Sequence, residues 1–166
     1  MSRARILWPA AALLLAVVAP ALPQTKPRLR EPARPAPKLE PVAETRLLME
    51  GLNSANFKGM ERLLKDKPAD GETWTFVRGQ ALLVAETGNL LMLRPPKHEG
   101  QDAWMDRAAE LRESATALSR AAAARDFDKS QRGLVNLANV CNRCHHTFRA
   151  PVRVEPFADR DDGKGG

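Results

Sequence analysis

The sequence predicts an all-α protein, an antiparallel up-down bundle of four helices. Between residues 44 and 150, four stretches of roughly 20 residues carry apolar side chains at the three- and four-residue spacing of an amphipathic helix. The strict alternation of apolar and polar residues that is typical of a half-buried strand has no useful length in this region. Short loops separate the four stretches, and helices joined by short loops pack against their neighbours in an antiparallel sense.

The first predicted helix runs from about Val42 to Lys65. It ends there because the residue before a proline is pushed out of the helical conformation, and Lys67 precedes Pro68. The apolar stripe of this helix is expected to consist of Leu48, Met49, Leu52, Phe57, Met60, Leu63 and Leu64.

The second predicted helix begins after Asp70, whose carboxylate is suited to cap a helix N-terminus, and it ends at Pro95-Pro96. Residues 97–100 then form a loop. The inner face of this helix is expected to comprise Trp74, Val77, Ala81, Leu82, Val84, Leu90 and Leu91.

The third predicted helix covers about residues 102 to 124, a stretch rich in Ala, Leu, Glu and Arg, which favour helix. Either Asp126 or Asp128 can cap the fourth helix, which reaches Arg149 before Pro151. The inner face of the third helix is expected to comprise Trp104, Ala108, Leu111, Ala115 and Leu118. The apolar stripe of the fourth comprises Leu134, Leu137, Ala138, Cys141 and Phe148.

The N-terminal residues are predicted to form a secretory signal peptide over residues 1–21. Arg3 and Arg5 precede an almost wholly apolar run, and small residues follow at Ala19-Pro20-Ala21, where a signal peptidase needs them. The apolar run is about 14 residues long, shorter than the roughly 20 that a spanning helix needs. We therefore expect a periplasmic or otherwise exported bacterial protein, which would contact a membrane only if this segment stayed uncleaved.

Residues 22–43 are predicted to be a proline-rich basic linker, residues 44–152 the bundle, and residues 153–166 a disordered, charged tail. The net charge of the chain is +6. Two of these positive charges belong to the signal peptide and a net three to the linker, which leaves about +1 for residues 44–166. A nearly neutral domain without a basic stripe argues against a nucleic-acid partner.

The most informative motif is Cys141-Asn142-Arg143-Cys144-His145, which contains both cysteines of the protein. C-x-x-C-H is the attachment pattern of c-type haem. Thiols three residues apart lie on one side of a helix, so each can add to a haem vinyl group and form a thioether. His145 is four residues from Cys141 and emerges on the same side, where its imidazole can be the proximal ligand of the iron. The sequence therefore predicts one covalently bound haem c, held by Cys141, Cys144 and His145.

Three other interpretations of this motif are open. A thioredoxin-like dithiol also uses C-x-x-C, but it expects a βαβ context and a cysteine at the start of a helix. A zinc site could use both cysteines with His145 or His146, but only His98 remains as a further imidazole ligand. The third interpretation is a helical interaction module without haem, in which the motif occurs by chance.

The motif and its surroundings resemble the class II cytochromes c, the family of cytochrome c′ and cytochrome c-556. The resemblance covers roughly residues 44–150 and depends on C-x-x-C-H in the last helix, followed by His146-Thr147-Phe148-Arg149. It implies the four-helix bundle, a covalent haem and a position for Arg149 near a haem propionate. Without the resemblance, Arg149 is simply a cation at a helix C-terminus. Many members of the family are homodimers, so a homodimer is possible here.

The same resemblance bears on the second axial ligand of the iron. Members of the c-556 type carry a Leu-Met pair in the first helix whose methionine binds the iron, and Leu48-Met49 looks like that pair. Met49 is therefore the expected sixth ligand, although methionine is also a common core filler. Members of the c′ type instead leave the iron five-coordinate beneath an apolar residue, a role that Leu48 or Leu52 could take here.

These observations predict a carrier of single electrons that exchanges them with a redox partner protein and transforms no substrate, so we do not expect an enzyme. The alternative is a gas-binding haem protein of the cytochrome c′ type, which would bind CO or NO at an open iron site. Whether Met49 binds the iron distinguishes the two proteins, because a methionine-ligated iron has no open position for a gas.

Overall fold

The computed structural model describes residues 37–157, and within this range the protein is all-helical with no strand. Four helices pack against one another, which confirms the predicted helical bundle. Each helix packs on the next one along the chain. The predicted signal peptide, most of the predicted linker and residues 158–166 lie outside the described residues.

The first helix, α1, spans residues 45–63 in three consecutive pieces. An α-helical turn, Thr45–Leu48, is followed by a π-helical segment, Met49–Ser54, and by a second α-helical piece, Ala55–Leu63. The helix thus begins three residues after the predicted Val42, and residues 37–44 form no helix. The π-helical segment was not predicted. Such segments are rare in proteins, and those that occur are often found at functional sites.

The second helix, α2, spans Gly71–Met92, and the third, α3, spans Gln101–Ala123. Asp70 caps α2 as predicted, because its Oδ1 accepts a hydrogen bond from the backbone N–H of Thr73 at 2.7 Å. The loop between α2 and α3 ends at Gly100, whose φ of 81° is in the left-handed region that glycine adopts without strain.

The fourth helix, α4, spans Phe127–Thr147. Asp126, not Asp128, is its N-cap, and it accepts a hydrogen bond from the backbone N–H of Lys129 at 3.0 Å. The side chain of Gln131 near the start of α4 donates to the carbonyl of Leu64 after the end of α1 at 2.9 Å. The start of α4 is therefore tied to the end of α1, as expected for antiparallel helices.

The core contains most of the predicted inner-face residues, with one clear exception. Leu82 of α2 is 40% exposed, because it lies about 100° around the helix from the buried Ala81. The largest fully buried apolar side chains are Met60, Leu64, Val77, Val84, Leu118, Leu134 and Leu137.

Residues 150–157, which we call the C-terminal strap, have no regular secondary structure but are docked on the bundle. The side chains of Val154 and Phe157 are partly buried and pack against the core. The backbone N–H of Phe157 donates to Glu61 of α1 at 2.8 Å. The disorder predicted from residue 153 onward therefore does not describe residues 153–157, whose apolar side chains find partners on distant helices.

In residues 37–157, no helix combines the length and the apolar character that a membrane crossing would require.

Candidate cofactor site

The three side chains of the C-x-x-C-H motif lie in the last two turns of α4 and face the same cavity. Cys141 is buried, whereas Cys144 and His145 are partly buried. The cavity has a volume of about 570 Å³, within the range of roughly 300–1,000 Å³ that is usual for ligand and cofactor pockets. The structure thus brings together the three residues that the motif predicted.

The cavity lies between the start of α1, the end of α4 and the C-terminal strap. Its lining is largely apolar. The remaining wall is formed by Leu91 of α2 and by Trp104, Arg107 and Leu111 of α3. A second cavity of about 500 Å³ adjoins it and shares Met49, Asn53, Cys141 and His145 with it. The apolar wall of the larger cavity comprises Met49, Leu91, Trp104, Leu111, Val140, Phe148, Ala150, Pro151 and Val152.

Two aromatic residues are locked together in this wall. The rings of Trp104 and Phe148 meet edge to face with centroids 5.0 Å apart and an interplanar angle of 74°. The indole N–H of Trp104 donates to the carbonyl of Leu91 at 2.7 Å, so its polar atom is satisfied. The wall can therefore contact a flat apolar group without leaving a polar donor unpaired.

His145 has one ring nitrogen held and one free. Its Nδ1 lies 2.8 Å from the carbonyl oxygen of Val152 in the strap. A carbonyl can only accept, so Nδ1 carries a proton and donates it, and in the neutral imidazole the lone pair is then on Nε2. A histidine that binds a metal typically donates its other N–H to a carbonyl or carboxylate in this way.

Both thiols are shifted away from the reactive thiolate form. Burial, and then the neighbouring Cys144, raise the pKa of the Cys141 thiol from 9.0 to about 12. Burial also raises the pKa of Cys144. The charge of Arg107 lowers this pKa by a smaller amount, and the charge of Glu110 raises it. A dithiol of the thioredoxin type requires a lowered pKa at a helix start, so these cysteines do not fit that alternative.

Met49 lines the same cavity from the opposite helix. It is the first residue of the π-helical segment and is partly buried, whereas its neighbour Leu48 is turned into the core. Met60, the other methionine of α1, is fully buried in the core and does not line the cavity. The structure therefore brings Met49, and not Met60, to the cavity that His145 faces.

Asn53 is a residue of the site that the sequence analysis missed. It belongs to the π-helical segment, is only 8% exposed and lines both cavities. Its Oδ1 is buried and has no hydrogen-bond partner among the described residues. The sequence does carry a signal for this residue. Met49, Asn53 and Phe57 are spaced four residues apart, so Asn53 places a polar amide in an otherwise apolar helix stripe.

Arg149 lies outside the lining of the cavity. It is exposed and takes a φ of 55° just after the end of α4. Two other arginines line the cavity instead. Arg46 of α1 is paired with Glu50 at 2.8 Å, and Arg107 of α3 is paired with Glu110 at 2.9 Å.

Among the described residues, no three His, Cys, Asp or Glu side chains converge to hold a metal ion. The zinc set that the sequence allowed is therefore not assembled in residues 37–157. No protein-family model matches the chain, and no curated protein matches it significantly.

Proposed function

We propose that this protein is an exported bacterial c-type cytochrome that carries single electrons through a covalently attached haem. The observation that carries the proposal is the cavity beside α4. All three side chains of the C-x-x-C-H motif open into it, and a methionine faces it from another helix. The lining fits a haem because it is largely apolar and places thiol, imidazole and thioether groups around one space.

Cys141 and Cys144 would hold the haem through thioethers, and His145 would bind the iron through Nε2. The hydrogen bond from Nδ1 to Val152 supports that role, since it fixes the tautomer that leaves Nε2 free. Protonated thiols are also suited to attachment, because sulfur and hydrogen add together across a vinyl double bond and no oxidant is needed.

When bound, the haem supplies an iron that alternates between Fe(III) and Fe(II). Met49 would bind the iron together with His145, and a Met/His pair raises the reduction potential. The Trp104–Phe148 pair and the neighbouring aliphatic side chains give the cavity a largely apolar wall, and apolar surroundings disfavour the more highly charged oxidised state. No substrate is transformed, so the proposed role is that of a carrier between redox partner proteins.

The haem propionates need cationic partners, and the cavity offers two. Arg46 and Arg107 both line it, and each would form charge-assisted hydrogen bonds with a propionate by sharing or exchanging its present partner, Glu50 or Glu110. Arg149, which the family resemblance implied for this role, would need to turn toward the cavity from its exposed position.

A gas-binding haem protein is the second candidate, and Asn53 is the observation that favours it. The Oδ1 of its side chain has no hydrogen-bond partner among the described residues and lies in the same cavity as Met49. Because no hydrogen bond holds this oxygen, the amide can turn, and if Met49 did not bind the iron, Nδ2 could donate a hydrogen bond to a small ligand in its place. Exposure of the reduced protein to CO separates the two candidates.

Covalent attachment is tested by expressing the chain in bacteria that make c-type cytochromes and staining a denaturing gel for haem. We expect haem to remain on the polypeptide, because a thioether survives denaturation. The double variant Cys141→Ala/Cys144→Ala should lose the stain, whereas a matched double variant at exposed α4 residues, Asn136→Ala/Asn139→Ala, should keep it. An unstained wild-type band in cells that mature other c-type cytochromes would overturn the proposal.

A further inference from the structure

We infer that the C-terminal strap is a working part of the haem site and that Asn142 is the positioning residue that holds it. Asn142 lies between the two cysteines of the motif, one helical turn before His145. In this arrangement Asn142 fixes the strap, and the strap fixes the imidazole of His145. The functional meaning of this inference rests on the proposed function, since it concerns the ligand of the haem iron.

The side chain of Asn142 binds the strap through two hydrogen bonds. Its Nδ2 donates to the carbonyl of Val154 at 2.8 Å, and its Oδ1 accepts from the backbone N–H of the same residue at 2.8 Å. The amide thus pairs with one strap residue as a neighbouring β-strand would. Only a side chain with a donor and an acceptor side by side can make both bonds, so aspartate and alanine cannot replace it.

Val152 is held on both sides within this strap. After the end of α4, the backbone N–H of Ala150 donates to the carbonyl of His145 at 2.8 Å. Two residues beyond Val152, the strap is clamped at Val154 by Asn142. The short segment between these two anchors directs the Val152 carbonyl at Nδ1 of His145, at 2.8 Å.

The consequence concerns the orientation of the ligand. An imidazole that faces a cavity on an exposed helix end can rotate about its side-chain bonds and exchange between tautomers. The Val152 carbonyl removes that freedom, because it accepts only from Nδ1–H and so directs Nε2 away from the strap. Asn142 therefore acts on the iron ligand without touching it.

The test compares Asn142→Ala with Asn139→Ala, whose side chain lies one turn earlier on α4, is exposed and makes no hydrogen bond among the described residues. In protein labelled with ¹⁵N-histidine, the readout is solvent exchange of the His145 Nδ1 proton, with exchange of the Val154 amide as the report on strap docking. We expect both protons to exchange roughly tenfold faster or more in Asn142→Ala, the order expected when hydrogen bonds of ordinary strength are lost. Asn139→Ala should exchange like wild type.

The inference is overturned if, in Asn142→Ala, the Val154 amide proton exchanges faster than in wild type but the Nδ1 proton of His145 exchanges as slowly as in wild type. Asn142→Asp gives a second route, since it keeps the acceptor for the Val154 N–H but loses the donor, and its His145 proton should exchange faster than in wild type. The same exchange rates are measured in the haem-free Cys141→Ala/Cys144→Ala protein, which retains Asn142, Val152 and Val154. Failure of the haem proposal would appear as missing haem in wild type, whereas failure of this inference would appear as unchanged exchange in either form.

Discussion

His145 and Met49 lie in parts of the chain nearly a hundred positions apart and face one cavity. His145 has its Nδ1 engaged by Val152 and its Nε2 free, and Met49 offers a thioether that is only partly buried. Each residue alone has an ordinary explanation, as a helix-end histidine and a core methionine. Their convergence on a space of about 570 Å³ is what favours an iron site with two protein ligands.

Met49→Leu tests the second ligand. Leucine keeps the volume and removes the sulfur, so we expect the reduced protein to bind CO and the reduction potential to fall. The fall should be on the order of 0.1 V or more, since axial ligands tune haem potentials over roughly 0.8 V. The measurements are optical redox titration and CO difference spectra.

Met60→Leu is the matched control. Met60 is on the same helix but is fully buried in the core away from the cavity. The substitution should cost less than about 1.5 kcal/mol of stability and leave spectrum and potential unchanged. Equal behaviour of the two variants would exclude Met49 as a ligand.

The buried thiol of Cys141 predicts a pH dependence for the haem-free protein. Its pKa is raised in the fold from 9.0 to about 12, so the folded state prefers the protonated thiol. This stabilisation is fully present below pH 9 and is lost as the pH rises toward 12, because the unfolded chain deprotonates first. Urea unfolding of the haem-free protein between pH 8 and pH 11 should show a stability that declines more steeply than in Cys141→Ala. Parallel declines in the two proteins would contradict the assignment.

At the scale of the elements, the π-helical segment of α1 sets which residues face the cavity. A π-helical turn holds an extra residue, so the side chains before it are rotated relative to those after it. Leu48 and Phe57 are both in the core, on either side of this segment, while Met49 and Asn53 line the cavity. The irregularity therefore lets one helix serve the core and the cavity.

Deletion of Gly51 tests this role of the π-helical segment. Removing one residue should restore a regular helix and turn Met49 about 100° away from its present direction relative to Phe57. We expect the helical content to persist and the reduced protein to bind CO, as in Met49→Leu. Gly51→Ala is the control, because a Cβ at this position meets nothing within 4 Å. A deletion variant that still excludes CO would contradict this account of the segment.

The contact between α2 and α3 depends on a close approach at Gly88. A Cβ there would lie 2.8 Å from the carbonyl oxygen of Ala108 and 2.9 Å from the backbone nitrogen of Arg112. Gly88→Ala should therefore cost about 1–3 kcal/mol, the usual range for overpacking. Gly79→Ala, on the same helix with open space around its Cβ, should instead stabilise the protein by up to about 1 kcal/mol. Urea denaturation measures both, and a Gly88→Ala variant as stable as wild type would contradict the packing.

At the scale of the whole molecule, the features that were predicted correctly are those with local causes. Asp70 and Pro68 mark a helix start and a helix end through contacts within a few residues. The strap could not be predicted in this way, because the partner of Phe157 is Glu61, 96 residues earlier. Asn53 and Arg107 likewise reach the cavity only through the packing of separate helices.

The packing of the bundle also explains why a cavity remains beside α4. Buried alanines let α2, α3 and α4 pack closely, each on the next helix along the chain. The side chain of Gln131 links the start of α4 to the end of α1. At the other end, α1 and α4 are separated by the cavity instead of packing directly on each other. The small buried side chains are Ala81, Ala85, Ala108, Ala115, Ala122 and Ala138.

The optical spectrum of the mature protein, oxidised and reduced, with and without CO, tests the central claim most directly. Two protein ligands to a covalent haem iron predict a low-spin spectrum in both states, a methionine-to-iron charge-transfer band in the far red when oxidised, and no change on adding CO to the reduced protein. A high-spin spectrum that shifts with CO would contradict ligation by Met49 and favour gas binding. The absence of haem absorbance in cells that mature c-type cytochromes would contradict the account as a whole.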